Sequence, residues 1–226
     1  MALSGHRRGR IALLAGAAVL AGALTMLAGL IAAPGPWTAG YVSEAGTTGM
    51  PLALAYRWGL GGLALGVALL GQALRRDSRP VAVLLSVAAV LAAGSGVVPC
   101  TDGCPLPPYE PTTVADVTHT VASVIGMIVL AVAMALIALS RPFGVVLRRL
   151  AATAVVVIVP LGAVLGLTML LAGRGPLSAG LERAALVVAV SWLVGTAIGA
   201  ALPRPAPPEP EPGSRALARR GGSTAG

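Results

Sequence analysis

Residues 115–139 read ADVTHTVASVIGMIVLAVAMALIAL, and no charged residue follows His119 within this stretch. Its length is close to the ~20 apolar residues with which an α-helix crosses ~30 Å of hydrocarbon. Five further apolar runs occupy approximately residues 11–33, 52–73, 81–98, 150–172 and 183–202. The sequence therefore predicts an all-α fold, a polytopic membrane protein built as a bundle of six transmembrane helices.

The composition excludes most soluble classes of protein. Hydrophobic residues make up 56% of the 226 residues, charged residues make up 11%, and the mean hydropathy is +0.87. Soluble chains carry about 25% charged residues. A soluble enzyme, a nucleic-acid-binding protein and a secreted disulfide-rich domain are all poor interpretations of such a chain.

Three segments are predicted along the chain. Residues 1–10 form a cytoplasmic N-terminal segment, and residues 11–202 form the six-helix transmembrane domain. The first apolar run is longer than the ~7–15 residues of a signal-peptide core, so we expect it to be retained as a helix. Residues 203–226 begin PRPAPPEPEP, and this proline density predicts a disordered cytoplasmic tail.

The arginines predict the orientation of the chain. All 16 basic residues are arginine, and 13 of them lie before the first apolar run or after the second, fourth and sixth. Only Arg57, Arg174 and Arg183 lie toward the other face. The positive-inside rule then places both termini in the cytoplasm. The absence of lysine and the dominance of Ala, Gly, Val and Leu in the apolar runs suggest a GC-rich bacterial genome, which favours a bacterial inner (plasma) membrane.

Two segments on the predicted outer side, residues 34–51 and 99–114, hold most of the chemically distinctive residues. The candidate outer pocket consists of Tyr41, Ser43, Glu44, Arg57, Asp116 and His119. A cation at the depth of Arg57 is costly unless it is paired, so we expect Glu44 or Asp116 to pair with it. The alternatives are that Arg57 reaches the lipid headgroups or ties helices two and four together.

Asp116 and His119 lie three residues apart and so share a helical face. An acid that orients an imidazole is typical of general-base chemistry or metal binding. The competing interpretation is that Asp116 caps the fourth helix, because Thr113 precedes it by three residues as in a capping box.

Cys100 and Cys104 lie on the predicted outer side, where an oxidising compartment favours a small-loop disulfide between them. Free thiols are the alternative. Two cysteines without a second pair are weak support for a metal site, and the chain has only two histidines, so no metal and no cofactor is predicted.

Glycine pairs four residues apart predict helix-packing faces, since close approach of backbones drives association in lipid. They are Gly62 and Gly66, Gly162 and Gly166, and Gly195 and Gly199.

The order of YVSEAGT, a helix with an arginine, a C-x3-C-P loop and D-x2-H at the fourth helix is similar to the domain of unknown function 998 family. The resemblance covers approximately residues 10–202 and implies a bacterial six-helix membrane protein. The pattern after helix one also resembles, more distantly, the Frag1/DRAM/Sfk1 group. Neither resemblance implies a reaction.

The expected function is that of a non-enzymatic membrane protein whose outward polar pocket binds a lipid headgroup, a small ligand or a membrane protein partner. Membrane lipids are the expected partners, and nucleic acid is not. The alternatives are a lipid-modifying or thiol-redox enzyme embedded in the membrane, and a small transporter.

Overall fold

The computed structural model describes residues 2–35, 40–106 and 110–202, and these form helices without any strand. The six long helices are α1 (Ala2–Ala32), α2 (Ala53–Leu74), α3 (Arg79–Val97), α4 (Val114–Leu139), α5 (Val145–Leu171) and α6 (Pro176–Ala201). One short 3₁₀ helix, Val42–Gly46, lies between α1 and α2. Each long helix has the length and hydropathy of a membrane span, so the chain is an all-α, multi-pass membrane protein.

The helices form a closed ring. Each packs against its neighbours in sequence, and α6 packs against α1 to complete the ring. We call the end where α1 begins and α6 ends the terminal end. The opposite end, called the loop end, carries loop 1 (residues 33–52), loop 2 (residues 98–113) and the α5–α6 turn (residues 172–175).

The helix boundaries differ from the predicted runs mainly at α1, α5 and α6. Helix α1 begins at Ala2, nine residues before the predicted start, so residues 2–10 of the predicted N-terminal segment are helical. Helix α6 begins at Pro176, seven residues before the predicted start, because proline suits the first turn of a helix. The Ser178 hydroxyl caps this turn by accepting from the Gly175 N–H at 3.0 Å. Helix α5 begins at Val145, five residues early. Glu182, which the predicted run leaves outside the last helix, therefore lies within α6, as does Arg183.

Glycine permits the closest helix approach in the ring, between α1 and α2. A Cβ at Gly22 would collide with the Gly59 carbonyl, and one at Gly66 would lie 2.7 Å from the Val19 nitrogen. Gly195 and Gly199 pack against leucine side chains of α5, which confirms that pair. The pair on α5 was wrongly predicted, because a Cβ at Gly162 or Gly166 meets nothing within 4 Å.

The main apolar core fills the half of the ring nearer the terminal end. Its largest buried side chains include Leu70, Leu85, Met134 and Trp192. Two smaller clusters lie at the loop end, one beneath the 3₁₀ helix and one around the two cysteines. The loop end is therefore held by polar contacts to a greater extent than the terminal end. The predicted tail, residues 203–226, lies outside the described residues.

Candidate functional site

Loop 1 folds around the 3₁₀ helix that the YVSEAGT stretch forms. The Glu44 Oε1 atom accepts from the Tyr41 N–H at 2.8 Å, and the Thr47 hydroxyl donates to the Glu44 carbonyl at 2.9 Å. Gly40 has φ +76°, and a Cβ there would lie 2.6 Å from the Glu44 carboxylate. The stretch is thus a locally closed turn that requires a glycine at its start.

Side chains from the other end of the sequence fasten loop 1 to α6. Glu182 accepts from the Val42 N–H at 2.7 Å, and Arg183 donates to the Gly40 carbonyl at 3.0 Å. Arg174, in the α5–α6 turn, forms an ion pair with Glu44. Loop 1 is consequently fixed by one hydrogen-bonding carboxylate and two arginines that lie about 130 to 143 residues away in sequence.

Arg57 does not form the ion pair that was predicted for it. Its Nε atom donates to the Gly46 carbonyl at 2.8 Å, and its terminal nitrogen lies 3.4 Å from the Thr48 hydroxyl. The prediction was wrong because Glu44 is engaged by Arg174 and Asp116 by loop 2. Arg57 therefore ties α2 to loop 1 through a backbone carbonyl.

Asp116 caps α4 and fastens loop 2 to it. Its carboxylate accepts from the Thr113 N–H at 2.8 Å and hydroxyl at 2.7 Å. The carboxylate also accepts from the Thr101 N–H at 2.6 Å and from the Thr101 hydroxyl at 2.9 Å. The side chain is buried, with 1% of the residue exposed. Of the two interpretations of Asp116, the structure shows the capping box.

His119 joins α4 to the end of α3. Its Nδ1 atom lies 2.9 Å from the Ser95 carbonyl oxygen and 3.0 Å from that of Val98. The Ser95 hydroxyl lies 3.2 Å from Nδ1 and 2.9 Å from the Ser123 hydroxyl. Because both carbonyls are acceptors, Nδ1 carries the proton and donates. Asp116 and His119 share a face but bond to different partners.

Cys100 and Cys104 lie at disulfide distance in loop 2, with their Cα atoms 5.0 Å apart. Both are buried, and Tyr41 of loop 1 packs against them. The Arg174 guanidinium lies over Gly103, where a Cβ would be 3.2 Å from its Nη1. The cysteine loop therefore contacts loop 1 and the α5–α6 turn.

A cavity of about 180 Å³ lies where loop 1, loop 2 and the α5–α6 turn meet. Its walls are Tyr41, Cys104, Leu106, Glu110, Ala172, Gly173 and Arg174. The Tyr41 hydroxyl is buried and makes no hydrogen bond of ordinary geometry with the described residues, although Ser178 lies near it. Burial raises the pKa of this phenol.

A family model described as "Protein of unknown function (DUF998)" matches residues 8–199 of the chain. The chain belongs to the DUF998 family. No curated protein and no solved structure matches it. The match includes both loops and the cavity of this DUF998 protein, and it excludes the whole proline-rich tail, residues 203–226. The distant likeness to the Frag1/DRAM/Sfk1 group stays a prediction.

The six predicted pocket residues of the DUF998 protein do not together line this cavity. Tyr41 lines the cavity, and Glu44 forms an ion pair with the lining residue Arg174. Arg57, Asp116 and His119 lie outside the lining, where they stabilise the ends of loops and helices. Ser43 is half-buried on the 3₁₀ helix, outside the cavity lining.

Sequence reasoning missed Arg174 and Glu110 as cavity residues. The available signal was charge. In the described residues the loop end of the DUF998 protein has five acids and three arginines, and Arg174 lies in the short segment between the fifth and sixth predicted runs.

Proposed function

We propose that this DUF998 protein is a non-enzymatic protein of a bacterial inner membrane whose loop end faces outward and binds a lipid headgroup. The observation that carries the proposal is the cavity between the two loops. It combines the guanidinium of Arg174 and the carboxylate of Glu110 beside the side chain of Tyr41.

The size of the cavity fits a headgroup and not a whole lipid. A volume of about 180 Å³ equals roughly six water molecules at ~30 Å³ each. Ligand sites for drug-sized molecules span ~300–1,000 Å³. A phosphate with a short amine substituent is of the right scale, and the acyl chains would remain in the surrounding bilayer.

The charges favour a zwitterionic headgroup. The Arg174 guanidinium suits a phosphate, because its N–H groups form charge-assisted bonds to phosphate oxygens. Glu110 is exposed and makes no ion pair among the described residues, so it is available to an ammonium group. Burial raises the pKa of Tyr41, so this wall of the cavity stays neutral. Phosphoethanolamine has both charges.

The contacts of Asp116 and His119 favour binding over catalysis. The carboxylate of Asp116 accepts hydrogen bonds from Thr101 and Thr113, and the imidazole of His119 donates to backbone carbonyls. Each is a buried group whose hydrogen bonds maintain loop 2 or α3. A general base needs a free acceptor within reach of the proton that it removes. Both carboxylate oxygens of Asp116 already accept hydrogen bonds, and the Nε2 atom of His119 is buried 3.5 Å from the Ser95 hydroxyl.

The proposed orientation rests on charge. In the described residues, the terminal end has nine arginines and one acid, whereas the loop end has three arginines and five acids. The positive-inside rule then places both termini in the cytoplasm.

A C-terminal green fluorescent protein fusion should fluoresce and a C-terminal alkaline phosphatase fusion should be inactive. The reverse pair of results would invert the orientation.

The binding proposal is tested with glycerophosphoethanolamine as the soluble probe. The protein is placed in phosphatidylcholine nanodiscs and binding is followed by saturation-transfer NMR. Glu110→Gln should weaken binding by roughly fivefold or more, as expected for the loss of one hydrogen-bonded contact. Asp102→Asn is the matched control, because Asp102 is an exposed acid of loop 2 outside the cavity.

Two outcomes would contradict the proposal. One is the absence of any saturation transfer to the probe from the unaltered protein. The other is equal loss of binding in Asp102→Asn and Glu110→Gln, which would indicate a general effect of the acidic surface and not a cavity.

A further inference from the structure

A second site lies at the opposite end of the bundle, in a groove between α2 and α3. The groove has a volume of about 670 Å³ and is lined at the terminal end by Gln72, Arg75 and Arg79. We infer that it binds an anionic phospholipid of the leaflet at that end. The two arginines contact the phosphate, and one acyl chain follows the groove. This site is independent of the cavity at the loop end.

The floor of the groove is made by small residues where the two helices cross. A Cβ at Gly71 would lie 3.1 Å from the Ala82 carbonyl oxygen and 3.2 Å from the Leu85 Cβ. The two helices therefore approach closely at Gly71. Gly71 and Ala82 lie in the lining of the groove between them.

The wall of the groove on α3 is apolar and exposed. Val83, Val87 and Val90 are 60%, 42% and 71% exposed, respectively. From Arg79 to Leu91 the groove follows twelve residues of helix, or about 18 Å at 1.5 Å per residue. Half of a ~30 Å hydrocarbon layer is ~15 Å, so the groove has the length of one leaflet.

The charge at the terminal end of the groove is not neutralised by the described part of the chain. Asp77 lies between Arg75 and Arg79 in sequence, but it forms an ion pair with Arg8 of α1 at 2.6 Å. Arg75 and Arg79 have no acidic partner within ion-pair distance among residues 2–35, 40–106 and 110–202. Two guanidiniums are thus available to an external anion.

Arg79 is also the first residue of α3, where the helix dipole disfavours a cation. A phosphate bound between Arg75 and Arg79 offsets that repulsion and accepts from both guanidiniums. Basic sites between membrane helices are typical receptors for anionic headgroups. The combination of paired arginines and an apolar channel of leaflet length favours a lipid over a free phosphate, because a free phosphate uses only the arginines.

The experiment is native mass spectrometry of the full chain, purified in mild detergent, delipidated and mixed with equal amounts of dioleoyl phosphatidylglycerol and dioleoyl phosphatidylcholine. We expect the unaltered protein to retain the anionic lipid preferentially. Arg75→Gln with Arg79→Gln should reduce its retention by about fivefold for each arginine removed. Arg141→Gln with Arg149→Gln is the matched control and should retain the lipid as the unaltered protein does. This control removes the same charge from the same end, at two exposed arginines outside the groove.

A second pair of variants tests the acyl channel. Val90→Trp fills the apolar part of the groove and should lower retention of phosphatidylglycerol. Val156→Trp, on the exposed face of α5 at 72% exposure, should not. Circular dichroism and elution volume establish that all four variants are folded.

Three outcomes would overturn the inference. Equal losses in the two arginine pairs would mean that only the total charge attracts the lipid. Equal effects of the two tryptophans would mean that no acyl chain occupies the groove. Complete displacement of the lipid by inorganic phosphate would identify a free anion as the occupant. A failure of the glycerophosphoethanolamine experiment leaves these results unaffected, since that cavity lies at the other end of the bundle.

Discussion

Arg174 of the α5–α6 turn pairs with Glu44 of loop 1 across 130 residues of sequence. The same guanidinium lies over Gly103 of loop 2 and lines the cavity. Arg174 therefore connects three separate segments of the loop end. Its removal affects the position of loop 1 as well as the polarity of the cavity.

The first prediction concerns the coupling between these two residues. Arg174→Gln and Glu44→Gln should each lower the thermal stability of the protein in detergent, with Glu44→Gln costing more because it also weakens the bond from the Tyr41 N–H. The pair is partly exposed, at 42% for the Arg174 side chain and 13% for that of Glu44. We therefore expect a coupling energy of only about 0.5–1 kcal/mol in the double-mutant cycle.

The control for this cycle is Arg57→Gln combined with Glu44→Gln. Arg57 bonds to the Gly46 carbonyl and not to Glu44, so these two substitutions should be additive. Coupling of Glu44 to Arg57 and not to Arg174 would restore the pairing that the sequence predicted and would contradict the structure.

The six helices were predictable because lipid imposes a simple requirement on each of them. A span must be long and apolar, and windows of hydropathy detect this directly. The partners of the polar residues were not predictable in the same way. Hydropathy set the start of the last span at 183, which left Glu182 outside the span and put Arg183 at its first position. The contacts of these two residues with loop 1 depend on their position within the first turns of α6.

The second prediction concerns the cap at Asp116. Asp116→Asn removes the charge and replaces one acceptor oxygen by a donor, so bonds from Thr101 and Thr113 are lost. Bonds to a charged group contribute about 1.5–3 kcal/mol each, and we expect a loss of about 2–3 kcal/mol in the free energy of unfolding. Thermal unfolding in detergent provides the measurement.

Asp102→Asn is the control for Asp116→Asn, since Asp102 is an exposed acid in the same loop. It should leave the unfolding temperature nearly unchanged. A stability of Asp116→Asn equal to that of Asp102→Asn would exclude a structural role and would favour the general-base interpretation of Asp116.

The third prediction concerns the packing of α1 on α2. Gly22→Ala places a methyl group against the backbone of α2, where neither helix can move aside without separating the pair. The cost of forcing extra volume into packed structure is typically about 1–3 kcal/mol. Gly162→Ala is the matched control and should cost nothing, because its Cβ meets no atom within 4 Å. Equal unfolding temperatures for the two variants would refute the close α1–α2 approach.

The glycine pairs illustrate a further limit of sequence reasoning. Spacing alone identified Gly66, Gly195 and Gly199 correctly but also selected Gly162 and Gly166, which face open space. It did not select Gly22, whose contact lies on the partner helix at Gly59. A spacing rule describes one helix at a time, whereas packing depends on the register between two helices.

The last prediction concerns His119, whose pattern with Asp116 also fitted a catalytic or metal-binding pair. In the structure its Nδ1 donates to the carbonyls of Ser95 and Val98 at the C-terminal end of α3. Carbonyls at a helix end lack partners within the helix and must be satisfied from outside. His119→Leu should therefore destabilise the protein by about 1–3 kcal/mol, the usual cost of leaving a buried polar group without a partner. His119→Asn retains an N–H donor and should recover part of this loss.

Hydrogen exchange should report the change locally, as faster exchange of the amides at the end of α3 in His119→Leu. Thr118→Val is the control on the adjacent exposed position, where the hydroxyl bonds only to its own helix. An unchanged unfolding temperature and unchanged exchange in His119→Leu would contradict the structural role and would make the imidazole available for chemistry.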